Sequence, residues 1–209
     1  MSRIFDLMIL NILFLLLCLP IITIGANITA MYYVTLKMIK NEESYVIRSY
    51  WKSFRQNFRQ ATILWLILLL FFVFLLLDLS ICRKMTGAMA FLRYFFLFML
   101  LLYGAVVSYV FPVLSRFDNT VKNTIRNALL MAIRHLPWTV CILLVNFSPL
   151  LVFLFAPSGV LSWFLLFLLL LGFSTIAFAN SWFFVNKIFP YYMPKEEEGI
   201  MPCEENSPF

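Results

Sequence analysis

The chain has 209 residues, of which 63% are apolar and only 12% charged, with a net charge of +6. An average soluble domain is about half apolar and about a quarter charged, so this composition excludes a soluble globular fold and leaves no stretch for a separate soluble domain. Four cysteines without a Cys-x-x-Cys pair, and one histidine with no cysteine at ligand spacing, argue against a disulfide scaffold and against a Cys/His metal centre.

Five long apolar runs follow in chain order, roughly Ile4–Ile24, Ala61–Ile81, Tyr94–Leu114, Pro137–Ala156 and Val160–Ile188. Each suffices for a helix to cross a hydrocarbon core of about 30 Å, which takes about 20 residues. Lipid offers no partner for exposed backbone groups. The prediction is therefore an all-α fold: a polytopic membrane helical bundle with about five transmembrane helices, one domain over residues 1–190. Residues 191–209 are acidic and Pro-containing, and read as a disordered cytoplasmic tail.

The first run carries Pro20 and Gly25, which read as a kink. A rival reading is a signal peptide ending near Gly25-Ala26. Against it, Arg3 and Asp6 cancel in the n-region and the run exceeds a usual h-region. Apolar character continues through Ile28–Leu36, so the first helix is expected to bend at Pro20 and run on along the interface. A re-entrant arrangement is the alternative, and would put the N-terminus inside.

The next segment, Ser44–Gln60, is predicted to be a basic amphipathic juxtamembrane helix. Trp51, Phe54 and Phe58 share one face, spaced three and four apart, and are expected to supply apolar burial. Arg48, Lys52, Arg55 and Arg59 form a second stripe roughly 100° away. An aromatic face beside a basic face suits a helix on an anionic leaflet, so these seven residues are candidate contacts for membrane lipids or for a partner protein. The plain alternative is an ordinary positive-inside flank. Nucleic acid is not expected as a partner, because lipid competes for a basic stripe held against the membrane.

The second run contains Asp78, the only acid well inside an apolar run. It stands little more than one turn from Arg83-Lys84 and reads as an interfacial anion. After the third run, Asp118-Asn119-Thr120 offers an N-cap for a second amphipathic helix. Val121, Ile125, Ala128, Leu129, Ala132 and Ile133 fall on one face of it, with Lys122 and Arg126 on another. Both halves then read as basic helix, span, span, which raises a parallel internal repeat with the first helix as an extra element. In the last two runs, Asn146 with Ser148-Pro149, Ser174-Thr175, Asn180-Ser181 and Asn186 are polar. Interhelical hydrogen bonding is the default role for such residues; Asp78, Asn146 and Asn180 are the intramembrane candidates for anything else. His135, beside Leu136-Pro137, reads as an interfacial side chain. No nucleophile elbow, paired helical His or phosphate-binding Gly-rich loop occurs, so neither enzymatic activity nor a cofactor is expected.

Charge orients the chain. Twelve basic residues fall in the segments Gly25–Gln60, Ser115–Leu136 and the C-terminal end, against four elsewhere: Arg3, Arg83, Lys84 and Arg93. The positive-inside rule makes the twelve cytoplasmic. With five spans, the N-terminus would lie outside the membrane and the C-terminus on its inner side.

Several stretches together carry a resemblance. Leu19-Pro20-Ile21-Ile22-Thr23-Ile24-Gly25-Ala26 leads into Thr29-Ala30-Met31-Tyr32-Tyr33. Ser53-Phe54-Arg55-Gln56-Asn57-Phe58-Arg59-Gln60-Ala61-Thr62-Ile63-Leu64-Trp65 follows, and later Phe111-Pro112 with Asn127-Ala128-Leu129. From the N-terminus to about Lys187 the chain resembles the YesL family, bacterial membrane proteins of unknown function. The resemblance implies an accessory role near carbohydrate uptake, such as beside a sugar ABC transporter, and carries no catalytic or binding residues. A small transporter or channel, with its path between the fourth and fifth helices, is the competing expectation.

Overall fold

A computed structural model describes residues 3–42, 45–83, 91–117 and 119–192. The acidic tail beyond Tyr192, Lys84, Gly87 and Asp118 lie outside the described residues. Every regular element among the described residues is helical, the α-helices being α1 (Arg3–Leu17), α2 (Ile24–Ile39), α3 (Val46–Cys82), α4 (Phe91–Arg116), α5 (Val121–Arg134), α6 (Leu136–Phe155), α7 (Ser158–Phe167) and α8 (Phe173–Phe183). Four helices are long and apolar enough to cross a membrane: α3, α4, α6 and the continuous stretch Gly159–Tyr191 formed by α7, α8 and the turns around them. The fold is a polytopic membrane helical bundle.

The first predicted span does not form as one helix. α1 has 15 residues, about 22 Å at 1.5 Å per residue, short of a hydrocarbon core of about 30 Å. It stops before Pro20, since the residue preceding a proline is driven out of the helical region. A single turn over Ile21–Thr23 reverses the chain. Thr23 closes this reversal, its hydroxyl donating to the carbonyls of Leu17 at 2.6 Å and Pro20 at 2.7 Å. α2 then runs back and ends on a Schellman arrangement: Glu42 N–H donates to Lys37 O, Asn41 N–H to Met38 O, and Asn41 takes φ 56°. Arg3 Nη2 donates to Asn41 Oδ1 at 2.5 Å. The open ends of the α1–α2 hairpin therefore meet.

α2 is the central element. Ala26, Ala30, Val34 and Leu36 are buried along it, and it packs against α1, α3, α4 and α8. Small residues permit this crowding. A Cβ on Gly25 would stand 2.6 Å from both Ala61 O and Trp65 Cβ of α3.

The amphipathic segment and the second run form one unbroken helix. α3 has 37 residues, about 55 Å. α5, by contrast, ends at Arg134, and His135 (φ −112°, ψ 42°) separates it from α6. The two halves of the anticipated repeat thus differ at the joint between basic helix and span. Of the three N-cap residues offered by the sequence, Thr120 takes the position, accepting from Asn123 N. The buried face of α5 is Thr124, Ala128, Met131 and Ala132. Ile133, which spacing assigns to that face, is exposed.

The last span contains two π-helical turns, Leu168–Gly172 and Phe184–Ile188. A π turn leaves backbone groups without their α-helical partners. Asn11 of α1 meets those of the first turn: its Nδ2 donates to Leu168 O at 3.2 Å and Leu169 O at 2.7 Å, and its Oδ1 accepts from Ser174 N at 3.1 Å. In α6, Pro149 cannot donate to Val145 O, and the hydroxyl of Ser148 donates there instead at 2.8 Å.

Candidate functional site

The first four turns of α3 present two unlike faces. Val46, Tyr50, Ser53 and Ala61 are buried toward the bundle. Tyr50 Oη donates to Asn27 Oδ1 at 3.1 Å, and Asn27 in turn lies 3.5 Å from Cys18 Sγ. Gln60 Nε2 donates to Asn119 O just ahead of α5, fixing the far end of this segment.

The seven residues singled out by spacing lie on the other side. Trp51 and Phe54 stack with ring centroids 5.5 Å apart, and Phe58 meets Phe54 edge-on at 5.4 Å. The Arg55 guanidinium sits 5.1 Å from the Trp51 ring centroid, a cation–π geometry. Arg48, Lys52, Arg55 and Arg59 are exposed. Burial departs from expectation: Trp51 keeps 42% and Phe58 38% of its surface, and only Phe54 packs against the core. Spacing points to the aromatics as the buried face because they are the large apolar residues at helical intervals. Tyr50 and Ser53 hold that face instead, through polar contacts with α2 and within α3. The result is a ladder of rings and cations on the outside of a long helix, able to lie against headgroups or an acidic protein surface.

A second arrangement lies inside the bundle. Asn180 Nδ2 of α8 donates to Asn146 Oδ1 of α6 at 2.6 Å and to Tyr32 Oη of α2 at 3.2 Å. Asn146 Nδ2 donates to Ser108 Oγ of α4 at 2.9 Å. Thr35 and Ser181 share a hydrogen bond of 2.7 Å, as do Tyr109 and Thr139 at 2.8 Å. The sequence places the two asparagines in separate spans; the fold brings them together and adds Tyr32 and Ser108, which spacing does not single out. This seam joins α2, α4, α6 and α8 through neutral groups, as polar residues between membrane helices do. Ser174, Thr175 and Asn186 hydrogen-bond within their own helical stretch through their side chains.

Asp78 takes no part in it. The residue is half-buried near the far end of α3, and its Oδ2 has no hydrogen-bond partner among the described residues.

A cleft of about 190 Å³ opens between α6 and the last span, walled by Val145, Pro149, Phe164 and Leu168. Its two hydroxyls, Ser148 and Thr175, donate to carbonyls of their own helical segments. The cleft therefore offers apolar contact and little to orient a polar solute. At the opposite end of α6, His135 is buried against Tyr191 and Tyr192, with ring centroids 5.2 and 5.9 Å away. Burial, and secondly the neighbouring Arg134 cation, hold its pKa below the ordinary value of 6.5. Among the described residues no group of three His, Cys, Asp or Glu could hold a metal ion, and Cys18, Cys82 and Cys141 are free thiols.

Residues 7–79, which cover most of α1, all of α2 and most of α3, match the family described as "Protein of unknown function, DUF624". The chain is 25% identical over 131 residues to "Uncharacterized protein YteU" of Bacillus subtilis (strain 168), a similarity that covers 62% of this chain and 59% of that protein. The match thus spans less than two thirds of that relative. No solved structure matches.

Proposed function

We propose that this chain is a non-enzymatic accessory protein of the bacterial plasma membrane, whose contact surface is the aromatic and basic face of α3. One observation carries the reading. The first four turns of α3 use Val46, Tyr50 and Ser53 for packing, while Trp51, Phe58 and four cations stay on the surface. Large apolar side chains interleaved with cations on a firmly held helix suit a lipid interface or a partner protein, and suit no solute pathway. Work beside a carbohydrate uptake system, with a sugar ABC transporter as the contacted partner, is supported by the resemblance of the Leu19–Ala26 and Ser53–Trp65 motifs.

Orientation belongs to the same reading. The Arg3–Asn41 contact supports a re-entrant hairpin, which moves the N-terminus to the side of the basic segments. Thirteen basic residues then gather on one side against Arg83, Lys84 and Arg93 on the other, and the richer side is cytoplasmic. A solute path between α6 and the last span draws little support from Asn146 and Asn180: Asn180 Nδ2 donates to Asn146 Oδ1, and of the two amides only Asn180 Oδ1 is buried without a hydrogen-bond partner among the described residues.

The test is crosslinking pull-down from host membranes with Arg55→Gln combined with Arg59→Gln. A juxtamembrane cation contributes about 1 kcal/mol, so the pair is worth about 30-fold in binding. Four membrane-length helices remain, so membrane fractionation should show normal insertion while partner capture falls by about that factor. Capture of the same partners at wild-type yield would show the stripe to be a topology signal only.

A further inference from the structure

At the open end of the α1–α2 hairpin a smaller cavity, about 90 Å³, lies between α2, the end of α4 and the second π turn. Its polar rim is formed by Lys37 and Lys40 of α2, with Arg116 and Ser115 of α4. Lys37 and Lys40 stand three residues apart, so they share one face of α2. Both are half-buried, as lysines are when the stem lies against the protein and the ammonium group reaches outward. Lys37 has a ring beneath it, its Nζ lying 4.9 Å from the Tyr33 centroid. Neither lysine has an ion-pair partner among the described residues. Glu42 also lines the cavity, one carboxylate beside the two lysines.

The remaining wall is apolar. Leu36 and Phe189 are buried and Val185 is half-buried. A cavity with cations on one rim and an apolar wall behind it suits an anionic head group held on the lysines, at the end of helices long and apolar enough to be surrounded by lipid. Basic pockets between membrane helices recognise lipid head groups in this way. We propose that this cavity binds the phosphate group of an anionic membrane lipid. The site is separate from the α3 stripe and uses none of its residues.

Free phosphate shares the head-group chemistry, so the test has two arms. The full chain is exchanged into bilayer nanodiscs of mixed phosphatidylglycerol and phosphatidylcholine, extracted in mild detergent and washed, and its retained lipid is measured by mass spectrometry. The wild type should retain phosphatidylglycerol in preference to phosphatidylcholine. Lys37→Gln with Lys40→Gln should lower that preference about 30-fold, while Lys37→Arg with Lys40→Arg should keep it. Arg55→Gln with Arg59→Gln should also keep it, which separates this site from the contact surface on α3. In the second arm, excess inorganic phosphate in the wash should leave the lipid in place. Equal retention by the wild type and the Gln pair would overturn the site. Displacement by inorganic phosphate would overturn the lipid as its occupant. Loss of lipid in the α3 variant alone would move the binding to that helix.

Discussion

His135 is the single histidine, set where α5 ends and α6 begins, with two tyrosine rings against it and its buried Nε2 without a hydrogen-bond partner among the described residues. Since its pKa in the folded chain lies below 6.5, the unfolded chain binds the proton more readily. The neutral ring's contribution is fully present above pH 6.5 and is lost as the pH falls from there through the folded value. The thermal midpoint in detergent, followed by tryptophan fluorescence, should therefore fall between pH 7.5 and pH 5.5. His135→Phe keeps an aromatic ring against the tyrosines and removes the titration, so its midpoint should be flatter over that range. A wild-type midpoint that does not move, or an equal slope in the variant, would contradict this. Asn11 makes a different point at the same scale. A lone asparagine in an otherwise apolar run is visible in the sequence, but its role depends on the π turn near Leu168, 157 residues away. No local pattern announces that turn.

At the scale of elements, the α2–α3 contact is the most exacting. A Cβ at position 25 would stand 2.6 Å from both Ala61 O and Trp65 Cβ. Gly25→Ala must therefore push two helix backbones apart, at a cost of about 1–3 kcal/mol. Gly104 is the matched control. Its Cβ would meet only Leu143 Cδ2, at 3.6 Å, an ordinary contact, and alanine in a helix interior is favoured over glycine by about 0.5–1 kcal/mol. Thermal unfolding should therefore shift down for Gly25→Ala and stay level or rise for Gly104→Ala; a reversed order would mean that α2 and α3 do not pack through Gly25. Much of this architecture is legible in the sequence. The runs at 61–81, 94–114 and 160–188 lie within helical stretches, and 137–156 overruns α6 by one residue; length and apolarity report directly on crossing a bilayer. The junction at Gln60-Ala61 reads as a boundary by composition, yet no proline, glycine or cap residue stands there, and the backbone continues through it. The contacts of Trp51, Phe58 and Ile133 are illegible for a physical reason. In a membrane protein an apolar face is compatible with lipid as well as with the core, so spacing identifies a face without saying what covers it.

For the whole molecule, the N-terminal hairpin decides how many times the chain crosses. A 15-residue α1 falls short of a bilayer core by about 8 Å, and Arg3 meets Asn41; both support the proposed re-entrant hairpin, whose two ends would face the same compartment. Five crossings would require the opposite. The two arrangements differ in one observable. In a background with Cys18, Cys82, Cys141 and Cys203 replaced by serine, Ser2→Cys and Asn123→Cys should react with an impermeant maleimide only after the membrane is opened, whereas Gly87→Cys should react in intact cells. The positive-inside rule fixes Asn123 and Gly87 on opposite sides under either arrangement, so these two positions calibrate the experiment. Position 2 carries the decision. Labelling of Ser2→Cys in intact cells would show that the first apolar run crosses after all, and the Arg3–Asn41 contact would then have to be given up along with the re-entrant hairpin.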